Sequence, residues 1–126
     1  MYTEPVILQT AAVISKTTET IVGAAIDVTR AEKITLFIDY TKGDETGLYI
    51  VVYAVGPDGT NYQLADWAVA TGLYTQTAIK LHFTATAKTV IVVDVDGFKS
   101  IKIYQGGSNN DGTPTGTLAL SYVIKE

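Results

Sequence analysis

Lys33 to Val55 reads KITLFIDYTKGDETGLYIVVYAV, and the architecture can be inferred from it. The first half alternates. Ile34, Leu36, Ile38 and Tyr40 fall on one side, with Thr35, Asp39 and Thr41 on the other. Period two in β-branched and aromatic residues specifies a strand, because successive side chains of an extended chain point to opposite faces. The second half is apolar on both faces, Leu48, Ile50 and Val52 against Tyr49, Val51 and Tyr53. Such a strand predicts cover on both sides. Between the halves lies the polar turn Lys42-Gly43-Asp44-Glu45-Thr46-Gly47. It is read as a solvated hairpin tip, so the expectation is a hairpin at the middle of a β-sandwich.

The flanking sequence continues the pattern. Thr117 to Ile124 places Leu118, Leu120, Tyr122 and Ile124 on one face, against Thr117, Ala119 and Ser121. Ile79, Leu81 and Phe83 alternate with Lys80, His82 and Thr84. Val90 to Val95 is apolar on both faces and ends in the aspartate-glycine turn Asp94-Val95-Asp96-Gly97. Phe98 to Gln105 follows as a strand, then a long polar loop over 106–116. Gly56-Pro57-Asp58-Gly59 is a strong turn signal. Asn61 to Val69 alternates and carries Trp67, the only tryptophan, whose default role is packing. Ala70 to Thr75 suits a crossover between sheets.

Residues 1–30 are less regular. Val6-Ile7-Leu8 and Ala11-Ala12-Val13-Ile14 are apolar, and Ile21-Val22 and Ile26-Asp27-Val28 suit short strands beside Gly23. Residues 1–30 are read as edge strands or an arm, the first few reaching outwards, ahead of a core over 31–126. The whole is expected to be all-β: a single-domain antiparallel two-sheet sandwich of about eight strands, jelly-roll or Ig-like in topology.

Composition narrows the function. At 126 residues the chain suits one domain that buries an adequate core without cross-links, and it has no cysteine. Thirteen acidic against nine basic residues give a net charge of -4. With no basic tract, neither nucleic acid nor an anionic membrane surface is an expected partner. No basic region followed by a long apolar run opens the chain, so no signal peptide is expected, and no stretch is long enough for a membrane helix. Charged residues make up only 17%, while eight tyrosines and 47% hydrophobic residues point either to surface covered by other chains or to many half-buried strands.

Catalytic machinery is not apparent, and no enzymatic activity is expected. His82, the only histidine, sits on the polar face of its strand with no orienting acid nearby. No Gly-x-Ser-x-Gly elbow exists. Asp94-Val95-Asp96-Gly97 lacks the spaced acids and closing Glu of a calcium loop. Asp39, Asp44, Glu45, Asp94 and Asp96 form no carboxylate pair poised for acid–base work, because tips and turns are solvated and a raised pKa needs burial. No cofactor and no metal site are expected.

The block KITLFIDYTKGDETGLYIVVYAVGPDGTNY, with LHFTATAKTVIVVDVDGFKSIKIYQGG and the closing GTPTGTLALSYVI, resembles small β-proteins encoded among the virion structural genes of tailed bacteriophages. The resemblance runs from Ala31 to Ile124. It implies a virion protein assembled in the host cytoplasm, head-decoration-like, bound to the major capsid protein or another virion protein. It also implies a homo-oligomer, with a trimer at local threefold positions the natural form. A tail, neck or fibre-associated protein is the alternative. A carbohydrate-binding jelly roll, with Trp67 and tyrosines as a stacking platform, is a further one. The candidate partner-contact residues are Tyr2, Glu4 and Pro5 near the N-terminus, Asp44 and Glu45 at the turn, and Asn109, Asn110 and Asp111 in the late loop.

Overall fold

The computed structural model describes residues 1–15, 19–63, 65–70, 73–78, 80–108 and 114–126, with side chains over 1–15, 19–62, 81–107 and 114–126. The described residues form strands and no helix. In chain order these are β1 (Val6–Val13), β2 (Thr20–Ile21), β3 (Ile26–Asp27), β4 (Lys33–Thr41), β5 (Gly47–Val55) and β6 (Asn61–Gln63). Then come β7 (Ala65–Ala70), β8 (Leu73–Ala78), β9 (Lys80–Phe83), β10 (Ala87–Asp94), β11 (Ser100–Ser108) and β12 (Thr117–Lys125).

Two antiparallel sheets enclose the core. The first runs β1-β12-β4-β10. In the second, β11 and β5 are central; β2 and β3 flank β11, while β6 and β9 flank β5. β7 and β8 pair with each other. Counting β2 with β3, and β6 with β9, as single interrupted strands gives eight strands in the two sheets and, with the β7–β8 pair, ten in all, against the eight or so expected. The first and last strands of the chain lie side by side, and the chain crosses between sheets at most connections. This interleaving is the jelly-roll order rather than the Ig-like one.

The expected central hairpin is therefore corrected. β4 lies between β12 and β10 in one sheet, and β5 lies between β11 and the β6/β9 edge in the other. The turn between them is a corner that carries the chain from sheet to sheet. The Asp94–Gly97 turn is also an inter-sheet corner, joining β10 to β11, and it buries Val95.

Alternation supplies the core. Ile34, Leu36, Ile38 and Tyr40 of β4, with Leu118 and Leu120 of β12, pack in one cluster with Leu48, Ile50 and Val52 of β5 and Ile101 and Ile103 of β11. Val51, on the other side of β5, is also buried, as a strand apolar on both faces requires. Burial of each Leu or Ile contributes about 1.5–3 kcal/mol of transfer free energy.

The N-terminal segment adds to both sheets, and Ile14, Val22, Ile26 and Val28 join the core. Its first residues do not reach outwards. Tyr2 bridges Lys125, the Thr3 N–H donates to the Ile124 carbonyl at 2.8 Å, and the Ile124 N–H donates to Thr3 Oγ1 at 3.0 Å. Backbone pairing with the end of β12 satisfies groups that a free arm would leave to water.

Candidate functional site

The outer face of the four-stranded sheet is unusually apolar. Register places Ile7, Ser121, Phe37 and Val90 in one row across β1, β12, β4 and β10. The next rows hold Val123, Thr35 and Val92 on one side, and Ala119, Asp39 and Lys88 on the other. Small residues on β12 lie between bulky ones on its neighbours, so the face is grooved, with a cavity of about 520 Å³. Ile7 is 70% exposed, Phe37 41%, Val90 56% and Val92 59%. Single exposed apolar residues are ordinary, but a contiguous row on one face marks an interaction surface. Among the described residues, the only charges lining the groove are the exposed Lys88 and the half-exposed Asp39, whose nitrogen and oxygen are 3.9 Å apart.

These residues were not singled out from sequence. The signal was present: Phe37 interrupts the polar side of β4, and Val90 and Val92 occupy the side of β10 that Lys88 and Asp94 share. The run of Val90 to Val95 reads as apolar on both faces, yet β10 alternates half-buried and exposed along its length.

A second cluster sits at the β4–β5 corner and is structural. Glu45 is only 3% exposed. Its Oε2 accepts from the Tyr40 hydroxyl at 2.5 Å and the Gly43 N–H at 2.8 Å, and its Oε1 accepts from the Gly116 N–H at 2.8 Å. The Asp44 N–H donates to Thr115 Oγ1 at 2.9 Å. One carboxylate thus fastens the corner to the segment entering β12. Burial alone pushes the Glu45 carboxyl up, but these hydrogen bonds, with one from its own backbone N–H, outweigh it and hold its pKa down at about 2. Burial, then the bond to Glu45, raises the Tyr40 hydroxyl well above its ordinary value. A carboxylate held this firmly ionised is a poor general acid, and its acceptor positions are already taken by the fold.

The corner is close-packed. A Cβ at Gly116 would lie 2.1 Å from Glu45 Oε2 and 2.8 Å from the Thr41 carbonyl oxygen. Gly116→Ala is expected to cost roughly 1–3 kcal/mol in urea unfolding. Combined with Glu45→Ala it should cost less than the sum of the two, because the clashing oxygen is gone.

The sequence-named contact residues scatter. Tyr2, Glu4 and Pro5 are exposed beside the end of β12, and Asp44 is exposed at the corner. Glu45 is turned inward, which corrects its reading as a solvated tip residue: the backbone N–H groups of an inter-sheet corner need an acceptor, and it supplies one. Asn109, Asn110 and Asp111 lie outside the described residues. Asp94 and Asp96 form a local turn, the Asp96 N–H donating to Asp94 Oδ1 at 3.1 Å ahead of Gly97 at φ 95°.

Among the described residues, no group of three or more His, Asp or Glu side chains is placed to hold a metal ion. His82 is exposed and its ring stacks on Tyr49, centroids 4.2 Å apart. Tyr53 and Tyr104 meet edge to face at 79°. Their hydroxyls are engaged, Tyr53 donating to Glu19 Oε2 at 2.8 Å and Tyr104 accepting from Asn61 Nδ2 at 3.2 Å. That arrangement is tied down rather than laid flat as a sugar platform. The Trp67 side chain lies outside those described.

No family model matches the chain, and no curated protein matches it in sequence. Solved structures match it in fold. The fold is similar to that of the SPBc2 prophage-derived protein YomS, at 15% identity and a TM-score of 0.58, over 98% of this chain and 92% of that one. It is similar to a chain of Bacillus endospore appendages, described as disulfide-linked pili, at 11% identity and a TM-score of 0.54, over 99% and 86% of the two chains. It is similar to part of a chain of an infectious bursal disease virus particle, at 13% identity and a TM-score of 0.52, over 100% of this chain and 31% of that one. At these identities the likeness is one of fold: a jelly roll shared with a prophage-derived protein, a pilus chain and a viral particle.

Proposed function

We propose that the chain is a structural protein of a bacteriophage virion, and that it docks on neighbouring subunits through the outer face of its four-stranded sheet. Its most specific form is a decoration protein on the outer surface of the head, held by non-covalent contacts. One observation carries the proposal: the exposed row of Ile7, Phe37 and Val90 around a groove in which, among the described residues, the only charges are Lys88 and Asp39. Apolar and aromatic side chains with few charges are the composition of an interface centre. The phage resemblance of residues 31–124 and the fold shared with a prophage-derived protein support the setting. A place on the tail, neck or fibre would use the same face.

Phe37→Lys tests it. The long aliphatic stem keeps part of the apolar cover while the ammonium reaches solvent, so the fold is retained. The purified parent chain is expected to co-sediment with phage particles lacking it, and the variant to lose most of that binding. Equal binding by the two, or no binding by the parent, contradicts the proposal.

A further inference from the structure

The four-stranded sheet has one unguarded edge. β1, at one margin, is interrupted by two register shifts against β12. Such irregularities twist a strand away from further pairing. β10, at the other margin, pairs with β4 over all eight residues without a shift, and among the described residues its second edge pairs with no strand. It reads AKTVIVVD, with no proline, no glycine and a charge only near each end. A long, straight, apolar edge is a template for another strand.

We propose that the strand it receives is β10 of a second copy of this chain, laid antiparallel about a two-fold axis at Ile91. Side-chain faces select the register. Outward residues must oppose outward residues for the sheet to continue, which restricts the axis to a residue rather than a peptide bond. With the axis at Ile91, Lys88 opposes Asp94 of the second copy and Val90 opposes Val92 of the second copy. Symmetry makes each contact twice. With the axis at Val90, Lys88 opposes a valine and Asp94 falls beyond the strand. With the axis at Val92, Asp94 opposes a valine. Only the Ile91 register sets both strand charges against opposite charges and the exposed valines against each other, the combinations that favour cross-strand pairs. The Lys88 side chain is 84% exposed in its pairing with Asp39, so it is free to turn to a new partner. The dimer would be one eight-stranded sheet, with the two grooved faces side by side. It is closed and two-fold, in place of the threefold association implied by the resemblance. It goes beyond the docking proposal and does not depend on it.

Sedimentation of the purified full chain tests the pairing without any particle. A dimer is expected. Lys88→Asp and Asp94→Lys should each weaken dimerisation by about tenfold or more, since each variant places like charges opposite one another twice. The two changes together should restore it to within a few-fold. The chain has no cysteine, so introduced thiols report register cleanly. Oxidised Val90→Cys combined with Val92→Cys should give a covalent dimer on a denaturing gel, and Val90→Cys alone should not. If a charge variant fails to fold, the cysteine pair still decides. A parent chain that stays monomeric at its solubility limit, a trimer, or a dimer indifferent to charge reversal and not captured by the cysteine pair overturns the proposal.

Discussion

Glu45→Ala is expected to lower the unfolding free energy by roughly 3–5 kcal/mol, leaving a domain of ordinary stability close to unfolding. The Tyr40 hydroxyl and the Gly43 and Gly116 N–H groups all lose their acceptor at once. Each bond to a carboxylate contributes about 1.5–3 kcal/mol, and the cost of burying the charge keeps the total below their sum. The pH dependence carries the same signature. The folded carboxyl is held at about 2 against an ordinary value of 4.5, so the charged form is bound more tightly by the folded chain. Its contribution, about 3 kcal/mol, is present above pH 4.5 and is lost as pH falls from there towards 2. Asp27 and Asp58 are also lowered, by hydrogen bonds from Thr29 and Thr60, and act in the same direction. The difference between the parent and Glu45→Gln cancels them. Urea midpoints should therefore converge as the solution is acidified, and a constant gap down to pH 2 would show that the carboxylate is not the fastening.

Leu36→Ala is expected to cost roughly 2–5 kcal/mol. Leu36 is fully buried at the middle of β4, flanked by Tyr122 of β12 and Ile91 of β10. Strands on both sides fix the backbone, so the site cannot collapse around the lost side chain, and a cavity remains. The next residue is the control. Phe37 points to the opposite face and is 41% exposed, so Phe37→Lys should stay within about 1 kcal/mol of the parent. Two adjacent positions thus separate folding from docking. Urea unfolding with an unchanged m-value checks the first, and particle binding checks the second.

Most strands were legible; the exception is β8 (Leu73–Ala78), whose first residues read as a crossover between sheets but pair with β7. Period-two runs in β4 and β12 put Ile34, Leu36, Leu118 and Leu120 on the core side, where the structure has them. Which sheet each strand joins was not legible. A side-chain period fixes faces and leaves partners open, and the short polar link from Thr41 to Gly47 serves a hairpin and an inter-sheet corner equally. The inward turn of Glu45 depends on Gly116, 71 residues away, so no local pattern announced it. The outer groove was half legible. Phe37 and Val90 stand out as apolar residues on polar sides, but their alignment with Ile7 and Ser121 comes only from the registers of three strand pairs.

The most direct test of the account is the position of this chain in an intact phage particle, imaged at side-chain resolution. The account predicts density for it on the outside of the head lattice, with Ile7, Phe37 and Val90 turned against a neighbouring subunit. A particle in which that face looks into solvent, or which contains no copy of the chain, would contradict it.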